Sequence, residues 1–123
     1  MTELKREPTK YLRDFCKSQY KKGTKCEICG ATQELQFHHY STLSILVNNF
    51  LKGKTIETVE EVEVFRERFR DLYEDEIYNQ TVTLCKKHHE GLHKVYGKNP
   101  SLGTAKKQPR WVQKQRDKHV QKL

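Results

Sequence analysis

Cys26, Cys29, Cys85 and His88 have the residue types and the spacing of one tetrahedral zinc site split across the chain. Zinc takes four thiolate or imidazole ligands, and a C-x2-C turn presents two sulfurs from one tight loop. Cys26-Glu27-Ile28-Cys29 is such a turn, with Gly30 behind it to relax the backbone. Cys85-Lys86-Lys87-His88 is a second, with imidazole in place of the last thiolate. A shell closed by four protein ligands has no open position for a substrate, so this ion would be structural. More imidazoles flank both halves: His38 and His39 follow the first, and His89 follows the second. Closing the zinc site would bring His38 and His39 within reach of His89, which is how an active centre could form in so small a protein. If no chemistry is built there, the same three histidines only decorate a zinc ribbon. His93 lies four residues after His89, so the two share a helix face. It either completes a metal shell, touches phosphate, or is a surface histidine.

The elements that must position these groups can be read from periodicity. Residues 8–21 read as a short helix opening after Pro8-Thr9, with Tyr11, Leu12, Phe15 and Cys16 as its apolar stripe and Lys10, Arg13, Lys17, Lys21 and Lys22 as its polar side. From Leu35 to Tyr40 the pattern alternates as on a strand. Leu35, Phe37 and His39 point one way and Gln36, His38 and Tyr40 the other, so the adjacent histidines take different roles. Leu43, Leu46, Val47, Phe50 and Leu51 mark one amphipathic helix, and a second runs from about Thr58 to Tyr78 with Val62, Phe65, Phe69, Leu72 and Tyr73 inward. We expect these two to form a helical hairpin packed on the metal core. Thr81 to Leu84 is a short β-branched run leading into Cys85, and a helix then carries His88 or His89 through Tyr96 to Gly97. The stretch from Lys106 onward is basic and is either a helix after Pro109 or ordered only by a ligand.

The 123 residues bound the answer to one domain, and a hydrophobic fraction of 34% against 33% charged leaves a thin core that a structural metal would help stabilise. No apolar leader or membrane-length stretch is evident, so we expect a cytoplasmic protein of a bacterial host cell and no membrane partner. In a reducing compartment, cysteines in C-x2-C read as metal ligands rather than disulfides. Cys16 is left over and reads as a structural thiol on the first helix. The net charge of +8 is uneven: residues 1–30 carry eight Lys/Arg against four acids, residues 101–123 seven against Asp117 alone, and residues 51–78 nine acids against five bases. Basic ends around an acidic middle suit a polyanion held at one face, because clustered Lys and Arg displace counterions from a phosphate backbone.

Taken together, Cys26-x2-Cys29, Leu35-Gln36-Phe37-His38-His39-Tyr40 and Val82-Thr83-Leu84-Cys85-Lys86-Lys87-His88-His89 resemble the HNH nucleases, from Cys26 to Tyr96. The resemblance implies an α+β fold: a small zinc-stabilised ββα-metal core, here with an inserted helical hairpin and with a basic N-terminal helix and C-terminal tail. It implies that His39 is the general base, and imidazole suits that role because its ordinary pKa of about 6.5 lies near working pH. It implies that His38 and His89 hold one catalytic divalent metal, with His93 as a further candidate. Two imidazoles move the preference from Mg2+ toward Mn2+, Ni2+ or other borderline ions. The family's middle asparagine falls at Gln80, with Asn79 one residue earlier; either amide could brace the loop that orients the base. A one-residue slip flips facing on a strand, so both are not expected to serve equally, and Asn79 with a local bulge is slightly preferred.

These readings set an expectation of residues 1–100 as an HNH nuclease domain with a helical insertion at about 41–78, followed by a basic extension at 101–123. The activity implied is that of a phage or mobile-element DNA endonuclease that leaves 5′-phosphate and 3′-hydroxyl ends and nicks one strand per active site. Duplex DNA, nicked or branched, is the expected partner. Lys86 and Lys87 either contact phosphates or are solvated at a helix start. Lys106, Lys107, Arg110, Lys114, Arg116 and Lys118, with Trp111 between them, would grip the backbone or stack on an unpaired base. The rival class is a zinc-stabilised nucleic-acid-binding module without catalysis, and a third is an adaptor whose acidic hairpin recruits a protein.

Overall fold

The computed structural model describes residues 2–123. Their order is α1 (Pro8–Lys17), β1 (Leu35–His39), α2 (Leu43–Leu51), α3 (Val59–Leu72), α4 (Glu74–Tyr78), β2 (Thr81–Cys85), α5 (Lys86–Tyr96), a 3-10 turn (Leu102–Thr104) and α6 (Lys107–Gln121). The class is α+β, with one small antiparallel sheet of β1 and β2 among helices. In the sheet Gln36 lies opposite Leu84, Phe37 opposite Thr83, His38 opposite Val82 and His39 opposite Thr81. Side chains alternate along a strand, so Gln36, His38, Val82 and Leu84 share one face while Phe37, His39, Thr81 and Thr83 share the other.

Two separate cores follow from this sorting. Ile28, Tyr40, Val82, Leu84, Leu92 and Val112 bury together with Cys26 and Cys85 on the side of α5 and α6. Leu12, Cys16, Leu46, Val47, Phe50, Phe69, Ile77 and Tyr78 form the other core among α1 to α4. Tyr20 spans the gap, stacking on Phe37 at 4.9 Å and meeting the edge of Tyr78 at 6.2 Å. The helices of residues 41–78 were expected to pack on the metal core as a hairpin. Instead α1 packs against both α2 and α3, and the three share a core of their own. Aromatic contact drives that arrangement: Phe50 meets Phe69 at 5.6 Å and Phe65 at 6.4 Å.

Several boundaries differ from the periodic reading for physical reasons. Helix α3 starts where Thr58 accepts the Glu61 backbone N–H at 3.2 Å and donates its hydroxyl to the Glu61 carboxylate at 3.0 Å. The expected single helix to Tyr78 breaks at Tyr73, which leaves the helical region with φ −112° and ψ 24°. The break turns Ile77 and Tyr78 inward and leaves Leu72, expected inside, 63% exposed. Helix α1 stops at Lys17, and Gln19 and Tyr20 close a turn on the carbonyls of Cys16 and Lys17. Helix α6 opens at Lys107, ahead of Pro109, since the first helical turn tolerates proline. It is no loose extension, because Gln108 and Val112 are buried and the Trp111 ring lies over Gly91 of α5. Among the described residues no helix is long and apolar enough to cross a membrane.

Candidate active site

The Cys26–Cys29 turn is shaped by its backbone. Gly30 N–H donates to the Cys26 carbonyl at 2.8 Å, Cys26 N–H donates to the Ala31 carbonyl at 2.7 Å, and Gly30 takes φ +74°, where a side chain would be strained. Glu27 N–H donates to the Thr83 carbonyl at 3.0 Å and so ties this turn to β2. Cys85 ends β2 and is the N-cap of α5, which brings His88 round to the same point. The four ligand atoms of Cys26, Cys29, Cys85 and His88 lie within 4.8 Å of one another. Cys29 Sγ is 3.9 Å from Cys85 Sγ, and His88 Nδ1 is 3.3 Å from Cys85 Sγ and 3.7 Å from Cys26 Sγ. Tetrahedral zinc bonds of about 2.3 Å to sulfur and about 2.0 Å to nitrogen require edges of about 3.5–3.8 Å, so this donor set fits the ion. Burial pushes the Cys26 thiol up, but backbone N–H groups of Cys29, Cys85 and Ile28 outweigh it and hold the thiol below its ordinary value.

Neighbouring residues on α5 point roughly 100° apart, so His89 turns away from the cluster that His88 joins. Its Nε2 lies 3.1 Å from His38 Nδ1 and 3.0 Å from His93 Nε2, and the three imidazoles could hold a second metal ion. Behind each ring sits an acceptor. His38 Nε2 meets Gln108 Oε1 at 2.7 Å, His89 Nδ1 meets Gln36 Oε1 at 2.6 Å, and His93 Nδ1 meets the Gly97 carbonyl at 2.7 Å. A neutral imidazole has one hydrogen; if each is donated backward, three bare lone pairs converge about one point. Lone pairs at that separation repel unless a cation lies among them. For bonds of about 2.1 Å, right-angled ligand pairs are about 3.0 Å apart, so the donor set fits a six-coordinate divalent ion with open positions. Burial holds His38 down to about 4, with His89 and His93 adding to the fall and Gln108 opposing it. Burial also lowers His88 and His89, which favours the neutral form that a metal ligand needs.

His39 faces the other side of the sheet, yet it reaches the same place. An open cleft of about 310 Å³ is lined by His38, His39, His89, His93, Arg13 and Lys98 among others. A groove of about 560 Å³ continues from it past Gln36, Glu90 and Lys94. The His39 ring meets Tyr20 edge-on at 5.0 Å and Phe37 at 5.2 Å. Its Nε2–H donates to the Ile77 carbonyl at 3.0 Å, which leaves Nδ1 as the basic nitrogen. Burial lowers its pKa, partly offset by that carbonyl.

Asn79 and Gln80 do not divide as expected. Both precede β2, so no bulge arises and strand facing does not choose between them. Asn79 Nδ2 donates to one Asp75 carboxylate oxygen at 3.0 Å and Gln80 Nε2 to the other at 2.7 Å. Both backbone N–H groups also donate to the Asp75 carbonyl, and Tyr40 N–H donates to the Gln80 carbonyl at 3.1 Å. Together they close the end of α4, the element that presents the Ile77 carbonyl to His39.

The basic residues scatter more than expected. Lys86 and Lys87 are exposed in the first turn of α5. Lys106, Lys107, Arg110, Lys114 and Lys118 are exposed along α6, whereas Arg116 pairs with Glu27 at 2.8 Å. Trp111 is half-buried, and its ring packs on α5, where a Cβ at Gly91 would lie 3.4 Å from it. The cations lining the cleft are Arg13 and Lys98, and Arg13 had been read only as part of a polar helix face. Gln36, Gln108 and the Ile77 carbonyl were also missed, since nothing in a lone amide or a backbone oxygen announces its partner. Cys16 lies in the helical core, away from both clusters, with its Sγ 3.5 Å from the Leu12 carbonyl.

The family model for phage T5 nicking endonucleases, described as the nicking endonuclease family, matches residues 1–122. No solved structure matches the chain.

Proposed function

The chain belongs to the nicking endonuclease family, and from that premise we propose a metal-dependent enzyme of the HNH type, its centre built as a ββα-metal core from β1, β2 and α5. It would hydrolyse one phosphodiester of duplex DNA to a 5′-phosphate and a 3′-hydroxyl. His39 Nδ1 takes a proton from water, the water oxygen bonds to phosphorus, and the bond from phosphorus to the 3′ oxygen breaks. Solvent then protonates the leaving oxygen. His38, His89 and His93 would hold a divalent ion such as Mn2+, Mg2+ or Ni2+, which when bound neutralises charge on the phosphate and the leaving oxygen. Cys26, Cys29, Cys85 and His88 would hold a structural zinc ion.

Arg13 and Lys98 would hold the scissile phosphate, because they line the cleft with the histidines. Asn79 and Gln80 act through Asp75 to keep the Ile77 carbonyl, and with it His39, in place. Lys86, Lys87, Lys106, Lys107, Arg110 and Lys114 would contact the DNA backbone on either side. The catalytic body would run on through α6 rather than end near residue 100, a reading supported by the place of Val112 in the core around the knuckles.

The observation that carries this reading is that His39, its Nε2–H taken by the Ile77 carbonyl, lines one cleft with the three clustered imidazoles. Supercoiled plasmid with Mn2+, Mg2+ or EDTA tests it. Wild type should accumulate open circles before any linear product, and EDTA should stop it. His39→Ala should lose about 10²–10⁴-fold in rate while keeping its zinc content and DNA affinity. An unimpaired His39→Ala variant, or linear DNA appearing without open circles, would refute it.

A further inference from the structure

Gln108 is a fully buried amide that touches the histidine cluster, and it comes from α6, far along the chain from His38. Its orientation follows from what its neighbours can do. Gln108 Nε2 lies 3.0 Å from the Tyr40 backbone carbonyl, which only accepts, and 2.9 Å from Thr104 Oγ1. The Thr104 hydroxyl hydrogen is already donated to the Ser101 carbonyl at 2.7 Å, so its oxygen accepts as well. Both amide hydrogens are therefore taken, and Oε1 is what remains to face His38 Nε2 at 2.7 Å. An amide oxygen has no hydrogen to give, so the ring nitrogen must carry it.

We propose that Gln108 is a positioning residue that locks His38 in its Nε2–H tautomer and so aims the bare Nδ1 at the point shared with His89 and His93. This rests on the reading of those three imidazoles as a cation site. In the other tautomer Nδ1 would carry a hydrogen and be lost as a ligand, while Nε2 would face Gln108 Oε1 lone pair to lone pair. A ligand histidine held by a partner behind it keeps its ring orientation and basicity, and losing such a partner costs about 10–100-fold in metal affinity. Gln108 also makes the cation site depend on α6: the Tyr40 carbonyl fixes the amide, the amide fixes His38, and neither works unless the C-terminal helix is docked. Gln36 stands in the same relation to His89 but is exposed, whereas Gln108 is sealed from water that could replace it.

The test uses the full chain with its cysteine site zinc-loaded and its histidines labelled with 15N. Long-range proton–nitrogen spectra report the His38 tautomer, and Mn2+ titration calorimetry reports the affinity of the triad. Wild type should show Nε2–H and bind one Mn2+. Gln108→Met, close in volume but without an acceptor, should mix the tautomers and weaken Mn2+ by about 10–100-fold. Gln108→Glu restores the acceptor toward His38 but loses the donors to Tyr40 and Thr104, so it should recover the Nε2–H signal relative to Gln108→Met, which a merely packing role would not predict. An Nδ1–H tautomer in wild type overturns the proposal even if Gln108→Met fails to fold, and so does undiminished Mn2+ binding by a folded Gln108→Met. A wild type that binds no Mn2+, yet loses its Nε2–H signal in Gln108→Met, refutes the cation reading alone and upholds the part of Gln108 in setting the tautomer.

Discussion

The two cores differ in what holds them. Among α1 to α4, Leu12, Val47, Phe69 and Ile77 are fully buried in ordinary apolar packing, capped by Thr58 at the start of α3. Around the knuckles, Ile28, Tyr40, Val82, Leu84, Leu92 and Val112 pack about two buried cysteines whose sulfurs lie close to Cys29 and His88. One half is closed by hydrophobic area, and the other carries a cysteine–histidine cluster at its centre that could hold an ion. The cleft lies along the seam between them, with its imidazoles from the knuckle half and Arg13 and the Ile77 carbonyl from the helical half. In the proposed enzyme the knuckle half would supply the metal ligands, and the helical half would orient the base and offer the phosphate a cation. Neither half alone would present the whole set.

The largest effect should come from opening the cysteine site. Structural zinc contributes about 10–16 kcal/mol in small metal-dependent folds, against about 5–15 kcal/mol for the net stability of a whole domain. Cys85→Ser, or a strong chelator, should therefore unfold the knuckle half and release α6 with it. Measured by circular dichroism and by resistance to proteolysis, fragments ending near the sheet should appear while α1 to α4 outlast the rest. A chelated protein with unchanged melting and unchanged proteolysis would show that the knuckle half stands without an ion.

Phe69→Ala attacks the other half. Removing a fully buried phenylalanine, here in contact with Phe50 and with Tyr73 at 5.4 Å, costs about 3–5 kcal/mol through lost transfer energy and the cavity left behind. The loss should be the same at any zinc concentration that saturates the cysteine site, and zinc stoichiometry should stay at the wild-type value below the melting transition. If zinc is released in parallel with the loss of helix, the halves unfold as one unit and the contrast drawn above is wrong.

How far all this could be read from the residues themselves depends on the range of the determining interaction. The C-x2-C turn is local and its residue types are distinctive, so the meeting of Cys26 and Cys29 with Cys85 and His88 was legible. Strand alternation has a rigid period, so the opposite facing of His38 and His39 was legible too. Helix periodicity was less reliable where tertiary contacts won. At Tyr73 the break that buries Ile77 and Tyr78 overrides an apolar pattern that would have carried Leu72 inward. The Gln108 contact spans most of the chain and rests on a residue type without a motif. The charge on Arg13 was plain, but which face of α1 would meet the cleft depends on the docking of two cores that no local signal encodes.

The smallest effect should be Asp14→Asn, within the helical half. Asp14 accepts from Lys17 at 2.8 Å and pairs with Arg6 from the N-terminal arm. The Lys17 hydrogen bond, then the Arg6 one, hold the carboxyl at about 2, below its ordinary 3.8. A depressed folded value means that the carboxylate stabilises the fold above the unfolded pKa, and that this increment is lost only as pH falls from about 4 toward 2. At neutral pH its charge is constant, and salt is the lever. The side chain is more than a third exposed, so water and ions screen the pair and the expected cost is below about 1 kcal/mol. Urea midpoints of wild type and Asp14→Asn should differ slightly at low salt and converge as salt rises. A gap that persists in high salt would mean that Asp14 acts through its short hydrogen bonds to Lys17 and Arg6 rather than through charge that ions screen.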